Sequence, residues 1–194
     1  MSVQPIFLFG ADVLGEKAKP VTGLTDGAIK LIYDMLETMR NGRGIGLAAN
    51  QIGVLERVIV VDISDVKEEE GENLRLSEDE PKKAILINPE VLHVEGSWAM
   101  EEGCLSIPEV RGKVERPERI HVRCKDANFR DGELTCSGLL GRVILHEIDH
   151  LNGILFLDYL SKSELKKHEV QLDRIRRGEI DVAYPVAAAE PVDR

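Results

Sequence analysis

The residues best suited to chemistry in this chain are His146-Glu147-Ile148-Asp149-His150. The stretch before them, Leu139-Leu140-Gly141-Arg142-Val143-Ile144-Leu145, is strongly apolar and reads as a buried helix. Residues four apart on a helix share a face, so both imidazoles can reach one metal ion. Glu147 then lies beside a water on that ion, where a general base is needed. Five histidines are spread over 194 residues, and two fall at this spacing around a glutamate. The pattern points to metal-assisted hydrolysis. The bland alternative is a helix with two hydrogen-bonded core histidines.

Two imidazoles leave a tetrahedral ion one protein ligand short of a catalytic site with an open position. Downstream of His150 stand only His168, Asp158, Glu164 and Glu169, in or near a charged helix. No downstream glutamate helix of the endopeptidase kind is evident. The better candidate lies upstream, in Glu101-Glu102-Gly103-Cys104-Leu105-Ser106-Ile107-Pro108. Cys104 offers a soft thiolate in a segment bracketed by Gly and Pro, suited to a rigid loop or edge strand. A lone cysteine is otherwise a small core hydrophobe, and Cys124 and Cys136 read that way, on strands.

These residues need a scaffold. Thr25 to Arg40 reads as a helix capped by Thr25 or Asp26, with Ile29, Ile32, Tyr33, Leu36 and Met39 at helical spacing. Gly44 to Gly53 is a turn rich in Gly and Ala. Val58-Ile59-Val60-Val61 is a β-branched run fit for a buried strand. Asp65 to Glu80 carries eight acids against two bases and reads as a solvated, disorder-prone insertion, spanning about 65–83. Further strands are expected at Ala84–Ile87 (ended by Asn88-Pro89), Val91–Val94, Gly112–Glu115, Ile120–Cys124 and Glu133–Cys136. Arg130-Asp131-Gly132 reads as a hairpin turn. The histidine-bearing helix should run from Gly138 to Leu151 and an amphipathic one from Ser161 to Arg177. The expectation is one α+β domain over 1–180, with short antiparallel sheets around a central metal-binding helix, a C-terminal amphipathic helix, and a frayed tail over 181–194.

A net charge of −10 argues against non-specific binding to nucleic acid or anionic membrane. No apolar run is long enough for a membrane span. The first ten residues lack a basic stretch and a full apolar run, so no secretory signal is expected. Three cysteines cannot all pair, which fits a reducing, cytoplasmic setting.

Three separated segments, in order, give the chain its resemblance to the peptide deformylase family. Gly44-Ile45-Gly46-Leu47-Ala48-Ala49-Asn50-Gln51 resembles its first motif, Glu102-Gly103-Cys104-Leu105-Ser106 its second, and His146-Glu147-Ile148-Asp149-His150 its third. The likeness runs through most of Phe7 to Leu160. One departure is Leu145, where the family usually carries glutamine; another is the long acidic insertion.

The resemblance implies removal of the formyl group from nascent peptides that begin with formyl-methionine. It implies one divalent ion on Cys104, His146 and His150, typically Fe(II), with Ni, Co or Zn as substitutes. Glu147 would be the general base, and the Gln51 side-chain amide and Leu105 backbone N–H the oxyanion donors. Ile45, Gly46, Leu139 and Val143 are expected to form the methionine slot, with Arg111 at its mouth. Arg116 is expected to pair with Glu102 and orient the Cys104 segment, and Asp149 to support the ligands or lie at the surface. The charges of the basic last helix read first as a solvated face; the resemblance adds, as the second reading, a ribosome contact near the peptide exit. The rivals are an endopeptidase, a structural zinc module closed by Cys124 or Cys136, and an inactive relative.

Overall fold

The computed structural model describes residues 2–68 and 73–188. Helix α1 spans Asp26–Asn41 and is capped by Thr25, whose hydroxyl accepts from the Ala28 N–H at 3.1 Å. Its buried stripe is Ala28, Leu31, Ile32, Met35 and Met39. Ile29 and Tyr33, expected on that stripe, face solvent, since the sheet touches the helix one position round from the spacing they suggested.

Five strands form an antiparallel sheet: β1 (Gly46–Ala48), β2 (Val58–Asp62), β3 (Lys83–Glu95), β6 (Arg119–Lys125) and β7 (Asp131–Ser137), in the order β1-β2-β3-β6-β7. Strands β4 (Trp98–Cys104) and β5 (Ile107–Arg116) form a separate hairpin. Helix α2, Gly138–Leu151, packs on one face of the large sheet and α1 on the other side of β1 and β2. Ile59 and Val61 join the α2 cluster, whereas Val58 and Val60 join the α1 cluster. A strand covered on both faces needs apolar residues at successive positions, which explains the unbroken run in β2.

Several sequence expectations shift. Asn88-Pro89 does not end a strand. β3 continues through it with a register break between Ile87 and Glu90. Asn88 takes φ 52° and its side chain holds Val21 by two 2.8 Å hydrogen bonds. A bulge of this kind tolerates the missing proline N–H. The turn before β7 is Asp126 to Phe129, and Asp131 and Gly132 already pair within the sheet. The last helix is two: α3 (Lys162–Lys167) and α4 (Glu169–Arg176), broken at His168. The break lets Leu165 and the pair Leu172 and Ile175 reach one cluster with β5 residues Val110 and Val114.

The acidic insertion is not wholly solvated. Residues 69–72 lie outside the described residues, but Leu74 is buried and its carbonyl accepts from the Leu139 N–H at 3.1 Å. Glu80 accepts from the Ser137 N–H at 3.1 Å and from its hydroxyl at 2.8 Å. The insertion therefore supplies the partners that the first turn of α2 lacks. At the other end of α2, Arg57 donates to the Leu151 carbonyl and to Asn152. The segment expected to fray also makes contacts: Val186 bridges Ile6 in parallel fashion, and Tyr184 packs on the α1 cluster. Residues 189–194 lie outside the described residues. No helix among the described residues is long and apolar enough to cross a membrane.

Candidate metal centre and substrate cleft

Cys104 ends β4, and His146 and His150 sit one turn apart on α2. Their ligand atoms all lie within 4.8 Å of one another. Cys104 Sγ is 3.2 Å from His150 Nε2. One thiol and two imidazoles at this spacing suit a divalent transition ion and leave a coordination position open. His168, Asp158, Glu164 and Glu169 are not part of this group. Nor are Cys124 and Cys136, which lie on β6 and β7. Burial, with Glu80 beside it, pushes the Cys136 thiol up to about 12, as befits an inert core thiol.

Behind the ligands stands a buried charge network. Glu102 accepts from Arg116 Nε at 2.6 Å and Nη2 at 2.9 Å, from Arg142 Nη1 at 2.5 Å and from His146 Nδ1 at 3.0 Å. Burial by itself would raise the Glu102 pKa. The His146 and Arg116 hydrogen bonds outweigh it and hold the carboxyl at about 2. Glu102 thereby fixes the His146 ring so that its Nε2 is left for a ligand. Arg116 continues to Asp149 Oδ2 at 2.7 Å and lies over the Tyr159 ring, which places Asp149 in the support of the site. Arg142 also donates to the Val114 and Trp98 carbonyls and stacks on Trp98. Burial pushes His150 well below its ordinary value, so its ring is neutral and ready to donate a lone pair.

Glu147 faces the same space. Its Oε2 is buried and has no hydrogen-bond partner among the described residues. Burial pushes its carboxyl up to about 7, against the pull of His146 and Arg116. A carboxyl poised near neutrality with one free oxygen is equipped to take and return a proton. Gly46 is needed here because a Cβ would collide with Glu147 Oε1 and Val143.

Gln51 lies in a short 3-10 turn, Ala49–Ile52. The Ala48 N–H donates to its Oε1 at 2.8 Å, which turns the Nε2 amide toward Cys104 Sγ at 3.4 Å and Ser106 Oγ at 3.1 Å. A cleft of about 740 Å³ opens over these groups. Ile45, Gly46, Leu139 and Val143 line it beside Gln51, Glu147 and His146. Leu105 and the exposed Arg111 border it too. All eleven expected site residues thus gather around one cavity except His150, which lies behind it in the ligand group. Leu145 points elsewhere and packs, partly buried, on the core cluster of α2.

Arg142, Ser106, Asn50 and Tyr184 were given no role in the sequence reading, although Asn50 and Ser106 stand within its motifs. Arg142 carried a signal, since it stands four residues before His146 on an otherwise apolar helix face. Asn50, whose amide donates to the His150 carbonyl, and Tyr184, whose hydroxyl donates to the Leu105 carbonyl, join positions 100 and 79 residues apart, and no local pattern announces either contact.

The comparisons agree with this geometry. The family model for polypeptide deformylase matches residues 3–166. A peptide deformylase from Chlorobium phaeovibrioides is 44% identical over 188 residues, covering 96% of this chain and 94% of that protein. The crystal structure of a peptide deformylase from Legionella pneumophila superposes with a TM-score of 0.79 at 36% identity, covering 92% of this chain and 98% of the other. The Ehrlichia chaffeensis peptide deformylase in complex with actinonin gives 0.79 at 34% identity, covering 93% and 100%. With a family match over residues 3–166, near full-length coverage by its relatives and a shared fold, this chain belongs to the polypeptide deformylase family.

Proposed function

We propose that this protein hydrolyses the N-terminal formyl group of newly made polypeptides that begin with formyl-methionine, releasing formate and a free amine. What carries the reading is the meeting of three ligand atoms within 4.8 Å with the unpartnered Glu147 oxygen beside one cleft. Cys104, His146 and His150 would hold one divalent ion, expected to be Fe(II), with Ni, Co or Zn able to replace it. Such an ion, when bound, lowers the pKa of a water on it and polarises a carbonyl.

The chain's own groups then divide the work. Glu147 takes the proton from the attacking water and returns it to the leaving amine. The Gln51 Nε2 amide and the Leu105 backbone N–H donate to the oxyanion that develops on the formyl oxygen. The Ala48 N–H holds the Gln51 oxygen, which favours the orientation with the amide nitrogen toward the cleft. Ile45, Gly46, Leu139 and Val143 form the apolar slot for the methionine side chain, and Arg111 stands at the mouth for the peptide beyond. Glu102, with Arg116 and Arg142, keeps His146 aligned.

Formate release from a formyl-Met-Ala-Ser peptide, with metal content measured on the same sample, tests this reading. Turnover by Fe(II)- or Ni(II)-loaded protein that vanishes in Glu147→Ala supports it. Hydrolysis of internal peptide bonds with a metal site indifferent to Cys104→Ala would replace it with the endopeptidase reading. The enzyme would work in the cytoplasm, and the exposed Lys162, Lys166 and Lys167 on α3 would touch the ribosome near the peptide exit. Unchanged co-sedimentation with ribosomes after Lys-to-Glu replacement at those three positions would remove that contact.

A further inference from the structure

The chain after α4 returns across the cleft as a strap. Ile6 anchors it twice: its N–H donates to the Pro185 carbonyl at 2.9 Å, and its carbonyl accepts from the Ala187 N–H at 2.9 Å. Anchored there, Val182, Ala183 and Tyr184 line the cleft. The Tyr184 hydroxyl donates to the Leu105 carbonyl at 2.7 Å, and both side chains pack on the cluster beneath α1.

That carbonyl belongs to the same peptide unit as the Ser106 N–H, which donates to Cys104 Sγ at 3.4 Å. A peptide whose oxygen accepts a hydrogen bond is polarised, and its N–H becomes a stronger donor. The line of groups is therefore Tyr184 hydroxyl, Leu105–Ser106 peptide, Cys104 sulfur. Gln51 Nε2 reaches the same sulfur from another side, at 3.4 Å. Partners one step removed from a metal set the orientation and basicity of its ligands. Burial, with the Cys104 sulfur nearby, pushes the Tyr184 hydroxyl up to about 12, so it keeps its proton and remains a donor at neutral pH.

We propose that Tyr184 is a positioning residue for the metal centre, acting through the Leu105–Ser106 peptide to set the orientation and donor strength of the Cys104 sulfur. The proposal rests on Cys104 being a metal ligand. It extends the catalytic unit beyond the three sequence motifs, to a residue 79 positions from the peptide it holds.

The test uses the full chain loaded with Co(II), whose thiolate-to-metal charge-transfer band reports on the cobalt–sulfur bond. Tyr184→Phe keeps the ring and removes the donor. The expected result is a displaced band, Co(II) affinity lowered about tenfold against a competing chelator, and a fall in kcat with little change in KM. A band that stays in place, with affinity within about twofold of the parent, overturns the proposal whatever the activity. Tyr184→Leu provides the same comparison should the phenylalanine variant not fold. A parent protein whose Co(II) form has no sulfur band removes Cys104 as a ligand and this proposal with it. A parent that shows the band but releases no formate overturns the proposed reaction and leaves the role of Tyr184 standing.

Discussion

Replacing Glu102 by Gln should be among the costliest isosteric changes in this protein, although Glu102 touches no substrate. Its carboxylate is 5% exposed and receives two hydrogen bonds from Arg116, one from Arg142 and one from His146. An amide of the same shape keeps one acceptor oxygen and turns an NH2 toward cations. Arg116 retains Asp149 as a partner, but Arg142, 2% exposed, loses the only carboxylate it pairs with among the described residues. Leaving a buried charge without its partner costs about 3–5 kcal/mol. A second route gives a similar figure. The carboxyl moves from 4.5 to about 2 on folding, which is worth roughly 3 kcal/mol. For a chain of this size about 3 kcal/mol corresponds to a melting point lowered by roughly 6–12 °C.

The sign with pH follows from the direction of the shift. A folded pKa below the unfolded one stabilises fully above the unfolded value, and that stability disappears as pH falls. The Glu102 contribution is therefore complete above about pH 5 and lost between there and about pH 2. Urea unfolding of metal-free parent and Glu102→Gln at pH 7 and at pH 3.5 measures both effects. The expected gap is about 3 kcal/mol at pH 7, narrowing at the lower pH. Metal affinity should also fall ten- to a hundredfold as His146 loses its acceptor. A gap below about 1 kcal/mol at pH 7, or one that does not change with pH, would refute the reasoning.

Other perturbations follow from single contacts. Gly46→Ala places a Cβ against Glu147 and Val143, so kcat/KM for a formyl-Met peptide should fall at least about tenfold, by roughly 1.4 kcal/mol of barrier or more; unchanged kinetics would show that Glu147 is free to move. Asn88→Ala loses both bonds to Val21 and leaves alanine at φ 52°, which should cost about 2 kcal/mol in urea unfolding. Leu145→Gln puts an amide among the apolar residues of α2; stability should fall by about 1 kcal/mol while formate release stays within about twofold. Thiol labelling of the native metal-free protein at pH 8 should spare Cys136, whose thiol is pushed up to about 12 by burial, and mass spectrometry of the labelled peptides reads this directly.

Much of the site was legible before any fold was drawn. A helix of 3.6 residues per turn places His146, Glu147 and His150 without tertiary information, and the flanking apolar spacing puts Leu139 and Val143 on the same side. Patterns also located α1, β2, β6 and the bounds of α2. They missed β4 because its inward position is Glu102, a charge that periodicity assigns to solvent. They divided β3 at Asn88-Pro89, since a bulge stabilised by a distant Val21 leaves no local trace. They assigned the acidic segment to water, although Leu74 and Glu80 complete the start of α2.

Local periodicity alone determined which residues of α2 can act together, because that depends only on helix geometry. The tertiary structure decided how Cys104 meets the two histidines, how Glu102 acquires two arginines, and how Tyr184 reaches Leu105. Each of these joins segments 14 to 79 residues apart. Such contacts form only when burial of three apolar clusters has fixed the elements in space. The same burial withholds water from Glu102 and Glu147, holding one carboxyl at about 2 and pushing the other to about 7. Two glutamates identical in sequence thus become a permanent anion and a titratable base, a difference that partners and solvent access impose.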